Sequence, residues 1–138
     1  MAKRLLIFLH LIFMVTAFSE TKDSYIHGEF MTLEEADRKW GHTSFTQQEY
    51  IKSPPDKRAS LIVSLVQSKK LNGASMEDVR KLLGPPDGYF IDDTIPAYLL
   101  GTRKPGQTND VWQIVFIPNE ERTKVIEIKI HKNCCYKD

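Results

Sequence analysis

The chain has 138 residues, enough for one domain with a modest core once any targeting segment is set apart. Its 19 Lys and Arg residues nearly balance its 18 Asp and Glu residues. Proteins that bind nucleic-acid backbones usually carry a large positive excess, so nucleic acid is not an expected partner.

The first 19 residues have the layout of a secretory signal peptide. Two basic residues near the start precede an apolar stretch over residues 5–15, and small residues follow at Ala17 and Ser19. We therefore predict a signal peptide over residues 1–19, cleaved near Ala17 or Ser19, and a periplasmic or secreted mature protein. The alternative is an uncleaved N-terminal anchor, although the apolar stretch is shorter than the ~20 residues that usually span a bilayer. Membrane association is expected only through a partner or an uncleaved signal.

Residues 20–57 are predicted to form an N-terminal arm that contains one short helix. Thr32 and Glu35 form a capping-box pair, in which each side chain can bond to the backbone N–H of the other residue, and Gly41 can end the helix. The arm also contains more large rings than a disordered tail would carry, namely Phe30, Trp40, Phe45 and Tyr50. These rings are expected to pack on the main domain, and a binding surface is the alternative.

Residues 58–138 are predicted to form the main domain, which opens with two helices. The first lies between Lys57 and Lys70 and presents an apolar stripe made of Leu61, Ile62, Leu65 and Val66. The second lies at residues 75–83. Ser75 suits its N-cap and Gly84 suits its end, because glycine readily adopts the left-handed conformation at which helices commonly stop.

Strands follow the second helix along the chain. Residues 89–91 could form a short strand that ends at an Asp92-Asp93 turn, and residues 95–100 form the next strand. The stretch 111–117 is apolar on both sides, as expected of a central strand. In the last strand, from Val125 to Ile130, the residues predicted to face the core are Ile126, Ile128 and Ile130. The fold predicted is α+β, with two helices packed on a three-stranded antiparallel meander sheet.

No residue pattern in the sequence indicates a catalytic, cofactor or metal site. Asp92-Asp93 and Glu120-Glu121 are paired acids, but both pairs lie in predicted turns, where solvation and turn hydrogen bonds favour them. General acid–base catalysis is the alternative interpretation of these pairs. The stretch from Gly84 to Gly88 lacks the Lys of a phosphate-binding loop. We therefore predict a protein that is not an enzyme and that holds no cofactor.

The two cysteines, Cys134 and Cys135, are neighbours and cannot link distant parts of the chain. Adjacent cysteines can close a strained small ring, pair with another molecule or remain reduced. With His131 they could also hold a soft metal, although paired thiolate ligands are usually about two to four residues apart. We expect inert thiols, with a strained or intermolecular disulfide as the alternative.

The second helix lies within a motif of the form L-x-G-x-S-x-x-x-V-x-x-x-L-G-x-P, which runs from Leu71 to Pro86. A strand led by Trp112 follows, and the last strand opens at Lys124-Val125. Through this motif and these strands, the chain resembles the small outer-membrane lipoproteins of the BamE-like (SmpA/OmlA) family. The resemblance covers about residues 58–131. The residues that define the fold on this resemblance are Gly73, Ser75, Val79, Leu83, Gly84, Pro86, Trp112 and Phe116.

The resemblance implies an ααβββ unit and a role in outer-membrane assembly. The same unit also builds proteins that inhibit β-lactamase by laying a sheet face on the enzyme. The lipid-bearing Cys that follows the signal peptide in the lipoproteins is lacking here. We expect an exported protein-binding or envelope-assembly module whose partner is another envelope protein, bound through the solvent face of the sheet, the 101–110 loop or the aromatic arm. The alternative is an inhibitor or ligand-binding protein that acts on an extracytoplasmic enzyme or a cell-wall component.

Overall fold

The computed structural model describes residues 28–102 and 111–133, which form an α+β fold with four helices and a five-stranded antiparallel sheet. In chain order the elements are β1 (Gly28–Met31), α1 (Leu33–Trp40), α2 (Gln47–Lys52), α3 (Pro55–Gln67), α4 (Met76–Leu83), β2 (Gly88–Phe90), β3 (Asp92–Leu99), β4 (Trp112–Pro118) and β5 (Val125–Asn133). The strands lie in the order β1-β5-β4-β3-β2, so β2 to β5 form a meander and β1 joins its far edge. The predicted α+β class is confirmed.

Helices α1 and α4 begin at the caps that the sequence indicated. The Thr32 hydroxyl accepts a hydrogen bond from the Glu35 N–H at 3.2 Å, and the Thr32 N–H donates to the Glu35 carboxylate at 2.8 Å. At α4, the Ser75 hydroxyl accepts from the Asp78 N–H at 3.0 Å. Gly84 ends α4 with a φ of 80°, a conformation that residues with a Cβ rarely adopt. The predicted caps are therefore confirmed.

The main core lies between the helices and one face of the sheet. Helix α3 contributes the predicted apolar stripe, since Leu61, Ile62 and Leu65 are buried and Val66 is partly buried. The three inner strands contribute buried side chains to the same core, among them Tyr98, Ile114, Phe116 and Ile130. The helices therefore pack on one face of the sheet, as in a two-layer α+β fold.

A second, smaller cluster lies on the opposite face of the sheet. Side chains along a strand point alternately to its two faces, so Val115 and Ile117 of β4 point away from Ile114 and Phe116. They pack with Phe90, Ile95 and Ala97. The prediction of a central strand at residues 111–117 is confirmed, since β4 lies between β3 and β5 and packs apolar side chains on both faces.

The N-terminal arm packs on the main domain through its rings. Tyr50 is fully buried, Phe45 lies against it, and the ring of Trp40 meets that of Trp112 edge-on, with 6.3 Å between centroids. The expected core role is confirmed for these three rings of the arm. Phe30 instead lies on the other face of the sheet and is exposed.

The sheet has five strands where the sequence predicted three. Strand β1 belongs to the predicted arm and pairs antiparallel with β5, with Phe30 opposite His131. Strand β2 is the short strand suggested at residues 89–91, and it pairs with β3. Because β1 pairs with a strand from the other end of the chain, its four residues carry no local pattern that reveals it.

The predicted arm contains two helices where one was expected, and the second, α2, has Thr46 as its N-cap. The Thr46 hydroxyl accepts a hydrogen bond from the Glu49 N–H at 3.2 Å. This pair repeats the capping signature of Thr32 and Glu35, so α2 could have been predicted. Helix α3 starts at Pro55, and the border between arm and domain stays a prediction. Within the described ranges, none of the helices has the length and apolarity needed to cross a bilayer.

The β2–β3 and β4–β5 turns lie at the same end of the sheet, because the chain reverses direction at each turn of the meander. We call this end the turn end, and it comprises residues 89–94 and 117–126. The prediction of a turn at Asp92-Asp93 is wrong, since both residues belong to β3. The chain instead reverses at Ile91, between the paired residues Phe90 and Asp92.

The prediction that Ile126 faces the core is also wrong, because this side chain is 68% exposed. A register shift between β4 and β5 leaves Ile126 as the extra residue of a β-bulge. Such an insertion reverses the alternation of side chains, and Val125 takes the buried position instead. Beyond the bulge, Ile128 and Ile130 pack in the main core as predicted.

Candidate functional site

The residues that carry the family resemblance hold elements of the fold in place. Val79 and Phe116 are fully buried in the main core, and Ser75 and Gly84 begin and end α4. The Gly73 N–H bonds to a β5 carbonyl at 3.0 Å, where this glycine has a φ of 72°. The others of the set are Leu83, which is buried, Trp112, which packs on the core, and Pro86, which lies between α4 and β2. Their positions suit a structural role.

Three predicted features lie outside the described residues, namely the signal peptide, most of the 101–110 loop and the thiols of Cys134 and Cys135. Within residues 28–102 and 111–133, no group of three or more His, Cys, Asp or Glu side chains is placed to hold a metal ion. The sheet face opposite the helices is one of the predicted binding surfaces. At its centre Ala97, Val115 and His131 are buried, so these side chains are not accessible to a partner.

One His–Asp pair has the hydrogen bond of a catalytic dyad. His42 Nδ1 lies 2.7 Å from Asp37 Oδ1, and Gln67 Nε2 donates to the other carboxylate oxygen at 3.0 Å. The bond with His42, assisted by that from Gln67, lowers the pKa of Asp37. The His42 side chain is largely exposed, and the pair lies on the open surface. We therefore assign this pair to linking α1 and its following loop to α3.

A polar cluster lies where α2, α3 and the α4–β2 connection meet. The Arg58 guanidinium lies over the Tyr50 ring, with its Cζ 4.9 Å from the ring centroid. It donates to the Ser53 carbonyl at 2.9 Å and to the Asp87 carboxylate at 3.3 Å. Asp87 also accepts a hydrogen bond from the Leu99 N–H at 2.9 Å. The cluster thus joins the arm to α3 and to the sheet.

Two buried tyrosines near this cluster differ in their hydrogen bonding. The Tyr98 hydroxyl donates to the Gly84 carbonyl at 2.9 Å, whereas the Tyr50 hydroxyl has no hydrogen-bond partner in the described part of the chain. Burial raises the pKa of both hydroxyls, that of Tyr98 to about 12. Both hydroxyls therefore stay protonated at neutral pH, and neither suits a general base.

An open depression of about 520 Å³ lies between α2 and the start of α3. Its lining includes one acid, Glu49, and two bases, Lys52 and Lys57. All three of these side chains belong to exposed residues. Ligand pockets usually bury most of the ligand surface, and this shallow site does not enclose one.

At the turn end, an ion-pair cluster ties the two turns together. Arg122 Nη1 donates to the two Asp92 carboxylate oxygens at 3.0 and 2.9 Å, and also to the Thr94 hydroxyl. The Thr94 N–H donates to Asp92 Oδ1 at 2.8 Å and its hydroxyl does so at 2.5 Å. The bonds from Thr94, followed by that from Arg122, lower the pKa of Asp92 to about 2. The Arg122 bonds join Asp92, at the start of β3, to the β4–β5 turn.

The turn end also carries exposed apolar side chains. Ile91 is 72% exposed, Ile126 is 68% exposed, and Tyr89 of the edge strand β2 is 53% exposed. Ile91 has a φ of 66°, in the left-handed region that a β-branched residue rarely adopts. We take this rigid, partly apolar end of the sheet as the candidate functional site, because the apolar side chains there are not used by the core.

Sequence reasoning missed the turn end because both isoleucines fit ordinary strand patterns. Gly, Asn or Asp usually marks a position that needs a positive φ, and Ile91 is none of these. The bulge at Ile126 depends on the register between two strands, which alternation within one strand does not reveal.

Comparisons of the chain with protein-family models, with curated proteins and with solved structures found no match. The family resemblance therefore rests on the motif from Leu71 to Pro86 and on the strand led by Trp112.

Proposed function

We propose that this protein is an exported, non-enzymatic module that binds another protein or supports an assembly in the cell envelope. The observation that carries the proposal is that Tyr89, Ile91 and Ile126 are all exposed at the same end of the sheet. Single exposed apolar residues are ordinary on protein surfaces. Several such side chains on a rigid end of a sheet instead suit contact with an apolar partner surface.

The order of elements supports a relation to the BamE-like family. The ααβββ order that the resemblance implies is found in α3, α4, β3, β4 and β5. Strand β2 is inserted between α4 and β3. In the proposed relation, these five elements are the shared unit. The arm with β1, and the short strand β2, then extend the sheet at its two edges.

The roles of the polar groups also favour binding over catalysis. Catalytic groups need a tuned pKa and a position facing a substrate. Among the groups with a shifted pKa, Tyr50 and Tyr98 have buried hydroxyls whose pKa is raised by burial. The pKa of the Asp92 carboxyl is lowered by its bonds from Thr94, followed by that from Arg122. Each of these groups is engaged in holding elements together or is enclosed in the core.

Affinity capture tests the proposal. The tagged full chain is expressed in the cells it comes from, cross-linked and purified from envelope extracts beside a control with the tag alone. We expect one specific envelope protein to be recovered in an amount close to that of the tagged chain. A result in which no specific protein is captured, while the purified chain turns over a substrate, would contradict the proposal. A captured enzyme that loses activity on adding the purified chain would favour the inhibitor alternative.

A further inference from the structure

We infer that the turn end is a docking site for a basic protein segment that also carries large apolar side chains. This inference rests on the proposed function and adds the surface and the chemistry of the partner. The surface combines exposed apolar and acidic residues, namely Tyr89, Ile91, Asp93, Glu120, Glu121 and Ile126.

The turn end is rigid before any partner arrives. Arg122 joins the β4–β5 turn to the β2–β3 turn through Asp92 and Thr94, with the carboxylate bonds at 3.0 and 2.9 Å. Within the β4–β5 turn, the Asn119 carboxamide oxygen accepts the N–H groups of Thr123 and Lys124 at 2.8 and 3.0 Å. A surface that is already ordered loses little conformational entropy when it binds.

The charge of the turn end favours a basic partner. Residues 89–94 and 117–126 carry four acids and two bases. One of these bases, Arg122, is engaged by Asp92. Asp93, Glu120 and Glu121 are exposed and form no ion pair with a Lys or Arg of the described chain. Because like charges repel and opposite charges attract, this surface disfavours an anionic partner and favours a cationic one.

Ile91 indicates that the partner is also apolar. In the left-handed region, at a φ of 66°, the Cβ of an L-residue crowds the backbone, and β-branching makes this conformation still less favourable. Burial of the Ile91 side chain does not compensate for this unfavourable backbone conformation, since 72% of the residue is exposed. An isoleucine that strains the backbone and remains in water is unfavourable for folding alone. Contact with a partner that covers the side chain gives it a favourable role.

A titration with designed peptides tests the inference. The isotope-labelled full chain is titrated with three synthetic peptides of equal length, one of Lys and Leu, one of Glu and Leu, and one of Lys and Ser. We expect the Lys/Leu peptide to shift the amide signals of residues 89–94 and 119–126, and the other two to bind at least about tenfold more weakly. Equal binding of all three peptides, or shifts confined to other residues, would overturn the inference.

Ile91→Gly and Lys69→Gly provide a matched pair of variants. Both positions are exposed and left-handed, with φ values of 66° and 57°, but Lys69 belongs to the α3–α4 connection and not to the turn end. Both changes are expected to raise the melting temperature by about 4 °C, since glycine adopts this conformation without strain. Only Ile91→Gly is expected to weaken binding of the Lys/Leu peptide, by about tenfold or more. Equal binding of that peptide by the two variants would overturn the inference.

The inference and the proposed function fail in different ways. If the wild-type chain captures an envelope protein and Ile91→Gly captures it equally well, the docking site lies elsewhere while the function stands. If neither captures a specific protein, the proposed function fails. Stronger binding to vesicles that contain phosphatidylglycerol than to the Lys/Leu peptide would identify an anionic lipid surface instead and would overturn the inference.

Discussion

Tyr50 and Tyr98 are both buried in the main core, and their hydroxyl groups provide a test at the residue scale. Tyr98→Phe removes the 2.9 Å bond to the Gly84 carbonyl, so the free energy of unfolding should fall by about 1 kcal/mol. Tyr50→Phe removes a buried hydroxyl that has no partner among the described residues. Its free energy of unfolding should stay the same or rise by up to about 1 kcal/mol.

Urea denaturation of these two variants measures both changes. Each variant is the control for the other, because both lose one hydroxyl from a buried ring. A larger loss of stability for Tyr50→Phe than for Tyr98→Phe would contradict the assigned hydrogen bonding.

Asp92 gives a prediction about pH. An aspartate in an unfolded chain titrates at about 3.9. The bonds from Thr94 and Arg122 lower the pKa of Asp92 in the fold to about 2. The charged carboxylate of Asp92 therefore stabilises the fold above about pH 4. This contribution to stability is lost as the pH falls through about 2. We expect Asp92→Asn to melt at a lower temperature than the wild type at pH 7.

Thermal melts of the wild type and Asp92→Asn between pH 2 and 7 test this prediction. The difference in melting temperature should shrink on acidification and vanish near pH 2. A constant difference over the whole range would show that the charge of Asp92 does not stabilise the turn end.

At the scale of elements, the end of α4 depends on the backbone of Gly84. Gly84 has a φ of 80°, whereas Gly88 lies outside the left-handed region, and neither has an atom within 4 Å of an added Cβ. Steric contact therefore does not separate the two sites. We expect Gly84→Ala to lower the free energy of unfolding by about 1 to 2 kcal/mol and Gly88→Ala to change it by less than about 0.5 kcal/mol. Equal effects in chemical denaturation would show that α4 does not need a left-handed end.

Elements with strong local signals could be predicted from the sequence. Ser75 and Gly84 mark the start and the end of α4. The apolar stripe of α3 can be recognised because the hydrophobic period of a helix depends only on residues that are close in the sequence. Strand β1 could not be predicted, since its pairing with β5 joins opposite ends of the chain. The exposure of Ile126 depends on a register shift between β4 and β5, which is also a property of two strands together.

The candidate site could be predicted only in part. The sequence pointed to an interaction role and drew attention to the acids at positions 92, 93, 120 and 121, but as separate turn residues. Their convergence at one end of the sheet comes from the meander, and the rigidity of that end comes from Arg122 bonding across the two turns. Exposure of Ile91 gives no sequence signal, because the residue suits a strand.

At the scale of the whole molecule, the arm is part of the fold. Ala36 and Tyr50 are fully buried, Trp40 packs edge-on against Trp112, and β1 pairs with β5. We expect a chain that begins at residue 55 to lose its cooperative thermal transition, because it would expose the core surface of α3 and leave one edge of β5 unpaired. Circular dichroism beside the full chain measures this. A cooperative melt of the shortened chain would show that the main domain folds without the arm.

We propose that this protein contacts its partner through the turn end. Photo-cross-linking in cells measures this most directly, with p-benzoylphenylalanine placed at position 91 or, as a control, at position 51. Ile51 is also exposed, at 54%, but it lies on α2. We predict a cross-link from position 91 to one specific protein, absent from position 51 and weakened when Asp93→Asn and Glu120→Gln are combined. A cross-link from position 51 alone, or none from position 91, would contradict a partner contact at the turn end.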